Sequence, residues 1–261
     1  MFRFSFLPIK STFIAATLGF CSVSLSAHAT LTSYTANGKD LVYSSVSDVT
    51  WTKDGNLLGT LFTSQGFNTV VNAIVAASPT ISNTPNFISP TGSYTISASD
   101  FSVNGQTTWF GALAYVNYLN SIKYAGSNQW YLPTVANEEV GSNTSTNGTS
   151  KGDELVELFY QELNGTDFNS IPNTASFDNE QSYIYWSGTE SATYPDRPDH
   201  DSAWHFLTYI GYQDDDRRKD NLFYAWAVSP GKVVTVPEPE TVVMLLLGLG
   251  VVGGVVRCRR G

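Results

Sequence analysis

Tyr183-Ile184-Tyr185-Trp186-Ser187-Gly188-Thr189-Glu190 is the stretch on which the fold turns. Its first five residues, 183–187, are rich in aromatic and β-branched side chains and run up to Gly188, so they read as a strand. Alternation puts Tyr183 and Tyr185 on one face and Ile184 and Trp186 on the other. With the tryptophan face turned to the core, the two tyrosines are the exposed pair and the candidate ligand-binding residues. Downstream, Ala203-Trp204-His205-Phe206-Leu207 is a second strand-like run, and Phe223 to Val228 is a third.

Helical rhythm lies upstream of these strands. Phe67, Val70, Val71, Ile74 and Val75 follow the i, i+3, i+4 spacing of an amphipathic helix that stops before Pro79. Trp109, Leu113, Val116 and Leu119 mark a second helix, capped at Thr107 or Thr108. A third runs from Asp153 to Leu163 and ends at Asn164-Gly165. Leu41 to Tyr43 and Val49 to Thr52 read as short strands, followed by a turn at Lys53 to Asn56. Gln129 to Pro133 is a further short strand, closed by its proline. Residues 78–100 and 141–152 are rich in Ser, Thr, Asn, Gly or Pro and read as loops. Helices early and antiparallel-looking strands late predict an α+β domain.

Both ends of the chain carry sorting chemistry. Arg3 and Lys10 precede an apolar stretch from Phe13 to Leu25, and Ala27-His28-Ala29 follows as a small-x-small cleavage site. That order is the one signal peptidase reads, so residues 1–29 are expected to be a signal peptide. At the other end Pro237-Glu238-Pro239 precedes an apolar run, 242–256, and then Arg257, Arg259 and Arg260. Fifteen residues at about 1.5 Å each make a short transmembrane helix, with the arginines held on the cytoplasmic side. This three-part tail, 236–261, resembles the PEP-CTERM sorting signal of Gram-negative bacteria. The resemblance implies an inner-membrane-anchored intermediate, processing by an exosortase, and a final place at the cell surface or outside the cell. It also implies a link to exopolysaccharide or biofilm, with exopolysaccharide as a candidate partner.

Between the two signals lies one domain, 30–235. It contains neither cysteine, since Cys21 and Cys258 fall in the signals, so no disulfide, thiol nucleophile or cysteine metal site is available. From Thr30 to Thr235 there are nine basic and 21 acidic residues, a net charge of −12. Such a domain repels nucleic acid and anionic membrane surfaces. Membrane contact is expected only through the C-terminal helix before processing.

The order of landmarks in this domain resembles a family of bacterial extracytoplasmic domains of unknown function, related to the C-terminal domain of collagen-like adhesins. The helix from Trp109 leads to Trp130-Tyr131-Leu132-Pro133. Then come Glu154-Leu155-Val156-Glu157-Leu158-Phe159-Tyr160, Tyr185-Trp186-Ser187-Gly188-Thr189-Glu190, Ala203-Trp204 and Ala225-Trp226-Ala227-Val228. Tyr131 and Ser229 stand where the family has arginines. The resemblance implies a C-type-lectin-like fold.

The remaining chemistry is acidic. Asp196, Asp199 and Asp201 cluster near His200, and Asp214-Asp215-Asp216 runs into Arg217-Arg218-Lys219. Closely spaced carboxylates are calcium ligands, which makes calcium the one ion considered. Neither cluster has EF-hand spacing, and the nearby basic residues favour neutralisation within the loops. No cofactor and no metal site is therefore assigned; Asp199, Asp201, Asp214, Asp215 and Asp216 are the weak metal candidates, expected in surface loops. Trp130, Trp186, Trp204 and Trp226 are expected in the core. Glu138, Glu139 and Glu190 are the carboxylates a glycosidase would need, yet no Gly-x-Ser-x-Gly or His-Glu-x-x-His motif is present. The reading is a non-catalytic exported surface or matrix protein. A carbohydrate- or calcium-binding adhesin is the alternative, and a secreted hydrolase the third.

Overall fold

The computed structural model describes residues 31–136, 138, 140–142, 152–191 and 200–234. The expected signal peptide, the C-terminal tail with its transmembrane helix, and Asp196 and Asp199 lie outside the described residues.

The chain opens with an antiparallel meander: β1 (Leu31–Ala36), β2 (Lys39–Ser44) and β3 (Val49–Thr52). Asn37 and Gly38, both at positive φ, make the first hairpin turn. Two helices follow, α1 (Leu57–Gln65) and α2 (Phe67–Ala77), then a hairpin of β4 (Thr80–Ser82) and β5 (Ser93–Thr95). Helix α3 (Trp109–Ser121) starts at Thr108, whose hydroxyl accepts from the Gly111 amide. Helix α4 (Glu154–Glu157) continues as a π-helical turn, Leu158–Glu162. A second antiparallel sheet follows, β6 (Ile184–Glu190), β7 (Ala203–Leu207) and β8 (Tyr212–Asp214). The last strand, β9 (Val228–Pro230), returns to pair with β3, so the beginning and end of the described chain share one sheet in the order β1-β2-β3-β9. Helices and antiparallel sheets together make an α+β domain.

The extended segment 223–228 joins the two sheets. Trp186 donates to the Tyr224 carbonyl and Tyr224 to the Ile184 carbonyl, while Thr52 donates to the Ala227 carbonyl. Tyr131 and Val228 exchange both backbone bonds. The core consequently lies on both sides of β6. Ile184 and Trp186 pack into one apolar cluster with α1, α2 and α3; Tyr185 packs into another with Trp51, Trp226, Phe159 and Phe206. Trp130, Trp186, Trp204 and Trp226 are all buried. The indole N–H of Trp186 donates to the Thr107 carbonyl and that of Trp226 to the Thr52 carbonyl, each at 2.9 Å. The indole N–H of Trp130 likewise donates to the Tyr124 carbonyl at 2.9 Å, whereas that of Trp204 has no hydrogen-bond partner among the described residues.

Several sequence expectations change. Strands β1 and β8 and helix α1 go beyond the sequence reading, and residues 78–100 hold the β4–β5 hairpin rather than a plain loop. The run Phe223 to Val228 is an inter-sheet seam, regular strand only from Val228. Gln129 to Pro133 makes a single bridge through Tyr131 rather than a strand.

Candidate functional site

The two tyrosines separate. Tyr183 is 43% exposed, as expected of a ligand-facing ring. Tyr185 is fully buried and is withdrawn as a ligand residue. Its ring lies 5.4 Å from that of Trp226, and its hydroxyl accepts from the Gln181 amide at 2.8 Å. The alternation argument assumed a sheet with one wet face; β6 is covered on both, so its period-two pattern does not sort core from surface.

The acidic residues also separate. Asp201 and Asp215 are buried, which corrects the expectation of surface loops. Buried carboxylates are tolerated only with donors, and both have them. The Phe87 amide donates to Asp201 at 3.0 Å, and Arg218 lies 3.5 Å from its other oxygen. The Ser191 hydroxyl donates to Asp215 at 2.6 Å. Asp216 is exposed and pairs with Arg217 at 3.2 Å. Asp201 and Asp215 therefore do not share one cation with Asp214 and Asp216. Each has its own setting, and neutralisation by Arg217 and Arg218 accounts for two of them.

His205 sits on β7, as its strand pattern suggested, with its side chain sealed from solvent. Its Nδ1 lies 3.2 Å from the Ala203 carbonyl. Its Nε2 points at Asp216 Oδ1, 3.6 Å away, and makes no hydrogen bond among the described residues. Burial holds the imidazole pKa below its ordinary value, despite the upward pull of Asp214 and Asp216.

Lys219 carries a role that sequence reasoning missed. It is completely buried, donating to the His200 carbonyl at 2.8 Å and lying 3.5 Å from Glu190 and 4.9 Å from the centre of the Trp109 ring. Burial lowers its pKa even so. Glu190 is thereby committed to a lysine and to the Thr84 amide, while Glu138 is exposed and Glu139 lies outside the described residues. Glu154 is a second such residue. Buried at the start of α4, it accepts from Thr134 N–H at 2.6 Å, from the Thr134 hydroxyl at 2.7 Å and from the Tyr131 hydroxyl at 3.2 Å. Tyr131, where the resembled family has arginine, is thus tied to the α4 carboxylate. Ser229, the other departure, shares a hydroxyl bond with Ser127 at 2.8 Å.

A third feature is a neutral groove of about 340 Å³ between α1, the 103–104 turn and the 179–181 segment. Its polar walls are amides and hydroxyls, among them Asn56, Thr60, Asn104, Asn179 and Gln181, with Val103 as an apolar neighbour. Asn56 builds it: the side-chain oxygen caps α1 by accepting from the Gly59 amide, and the side-chain nitrogen donates to the Asn104 carbonyl at 3.0 Å. An Asn before an apolar run is an N-cap signal; Gly59 in the first turn hid it.

Comparison with known proteins finds one family. Residues 235–260 match the PEP-CTERM protein-sorting motif. No curated protein and no solved structure matches the chain. The motif marks an exported protein of the exosortase-processed class, membrane-anchored before processing. Among the described residues no helix is long and apolar enough to cross a membrane.

Proposed function

We propose that the mature chain is a non-catalytic surface or extracellular-matrix protein of a Gram-negative bacterium, associated with exopolysaccharide or biofilm. In this reading signal peptidase cuts after Ala29, the tail anchors the intermediate in the inner membrane, and an exosortase processes it near Pro237-Glu238-Pro239. The described part is then a C-type-lectin-like domain displayed at the surface. The observation that carries the proposal is the sorting motif at 235–260, joined to an acidic, cysteine-free domain. Intact-mass measurement of the protein from its native host tests it. The expected mass lacks both the first 29 residues and the arginine-bearing end. A surface form that still ends at Gly261 overturns it.

A second reading, a carbohydrate-binding adhesin, is favoured by the neutral groove. Amide and hydroxyl groups in a fixed array suit sugar hydroxyls, which offer both donors and acceptors. Asn56 and Asn104 are held there by the α1 cap. A glycan array with the purified protein, with and without calcium, tests this reading. Binding that an Asn179→Ala, Gln181→Ala double variant abolishes supports it; no binding to any neutral glycan ends it.

A further inference from the structure

We propose that His205, Asp214 and Asp216 form a binding site for a divalent first-row transition-metal ion of the zinc class. The sheet itself assembles the three. His205 and Asp214 are direct register partners across β7 and β8, so their side chains leave the same face as neighbours. Asp216 lies two residues further on. One ligand atom from each residue falls within 4.8 Å of the others.

The histidine makes this more than an acidic patch. A carbonyl oxygen can only accept, so the contact between Nδ1 and the Ala203 carbonyl requires the proton on Nδ1. In the neutral ring this leaves Nε2 as a bare lone pair. That lone pair is sealed from solvent, has no hydrogen-bond donor among the described residues, and faces a carboxylate oxygen 3.6 Å away. Two acceptors pointed at each other, one of them buried, repel, and a cation between them turns the repulsion into coordination. Metal-ligating histidines are commonly oriented in this way, with the second ring nitrogen donating to a backbone carbonyl. Trp186 and Phe223, whose ring centres lie 6.0 and 5.8 Å from the imidazole, hold its plane.

The spacing of His205 and Asp216 also fits. Zinc–nitrogen and zinc–oxygen bonds of about 2.0–2.2 Å in a tetrahedron put neighbouring ligand atoms roughly 3.4 Å apart, close to the observed 3.6 Å. The Asp216 side chain is 48% exposed, which leaves one side of the site open to water as a fourth ligand. Arg217 shares Asp216 Oδ1 at 3.2 Å, so binding draws that carboxylate partly away from the guanidinium. Calcium takes six to eight oxygens. A site whose one rigid donor is an imidazole nitrogen selects against it.

The test is equilibrium dialysis of the full chain, stripped with chelator, against micromolar Zn²⁺ and separately Ca²⁺. One Zn²⁺ per chain is expected, with no Ca²⁺ at the same concentration. Asp216→Asn, a change at an exposed side chain that leaves the core alone, should weaken zinc at least about tenfold, and His205→Gln more. X-ray absorption on the wild-type zinc form should show one imidazole, a readout independent of whether any variant folds. Failure to bind zinc, zinc binding unchanged by Asp216→Asn, or a zinc spectrum without imidazole each overturns the proposal.

Discussion

Replacing Glu162 with glutamine should stabilise this protein at pH 8 and leave it nearly unchanged at pH 4. Glu162 ends the π-helical turn with both carboxylate oxygens shut off from solvent. Burial raises its pKa from 4.5 to about 7, and the nearby Glu157 adds to the rise. The Ser44 hydroxyl and Val46 amide approach without reaching hydrogen-bond geometry and offset the rise only in part. The folded state thus holds this proton more tightly than the unfolded chain does. The stabilisation is complete below about pH 4.5 and is lost as pH rises through 7. At about 1.4 kcal/mol per pH unit the difference is worth about 3 kcal/mol at most. The residue is only partly buried, and solvent screening reduces this to about 2 kcal/mol. Glutamine keeps the shape and cannot ionise. Urea unfolding of both proteins at pH 4, 5, 6, 7 and 8 should show curves that diverge with pH, the variant ahead by about 2 kcal/mol at pH 8. Other carboxylates raised by burial, Glu154 and Glu180 among them, act on both proteins alike and cancel in the comparison. A difference that does not change with pH, or a wild type that gains on the variant toward pH 8, would refute the reasoning.

Trp186→Ala should cost about 3–5 kcal/mol, because it empties a fully buried site and removes the indole bond to the Thr107 carbonyl, which keeps only the Phe223 amide; a loss under about 1 kcal/mol in reversible unfolding would contradict the packing described. Gly59→Ala reverses the usual sign of that substitution in a helix, normally a gain of about 1 kcal/mol. The new methyl would lie 2.6 Å from the Asn56 side chain and 2.9 Å from the Asn104 carbonyl, so denaturant melts should show a loss of about 1–3 kcal/mol. Lys219, sealed and bonded to the His200 carbonyl, should resist acetylation of the native protein at least about tenfold better than the exposed Lys39, Lys123 and Lys232; peptide mass spectrometry reads this directly, and equal labelling would contradict the burial.

Local signals were legible wherever a segment's own side chains decide its structure. The α2 and α3 periodicities, a cap at Thr107 or Thr108 and the β7 run were legible because each depends on neighbours within a turn or two. The sorting tail was legible for a similar reason: its three parts are contiguous. Helix α1 was missed because its weak apolar stripe and Gly59 argue against helix, and only the Asn56 cap with its long-range bond to Asn104 makes sense of them. Strand β1 was missed because its alternation is thin, Leu31 and Tyr34 being the only large apolar residues before Ala36. Pairing with β2 supplies what propensity does not.

The candidate site failed at a different level. Tyr185 and Tyr183 look equivalent by period-two spacing, and one is core while the other is surface, because the segment from Phe223 covers β6 from a point some forty residues away in sequence. The aspartates teach the same lesson in reverse. Density of charge argued for a solvated loop, yet Asp201 and Asp215 are drawn inside with donors from distant segments, among them the Phe87 amide and the Ser191 hydroxyl, that no local pattern announces. His205 shows why such sites hide. Its neighbours in sequence, Trp204 and Phe206, say only that it lies on a buried strand. Its chemistry is set by which of its nitrogens the Ala203 carbonyl occupies, and by the register that puts Asp214 opposite it. A one-residue slip of β8 would place the buried Gln213 or the bonded Asp215 there instead, and the lone pair would face a different partner. The function of this face of the sheet is therefore written in pairing, and reading it requires the fold.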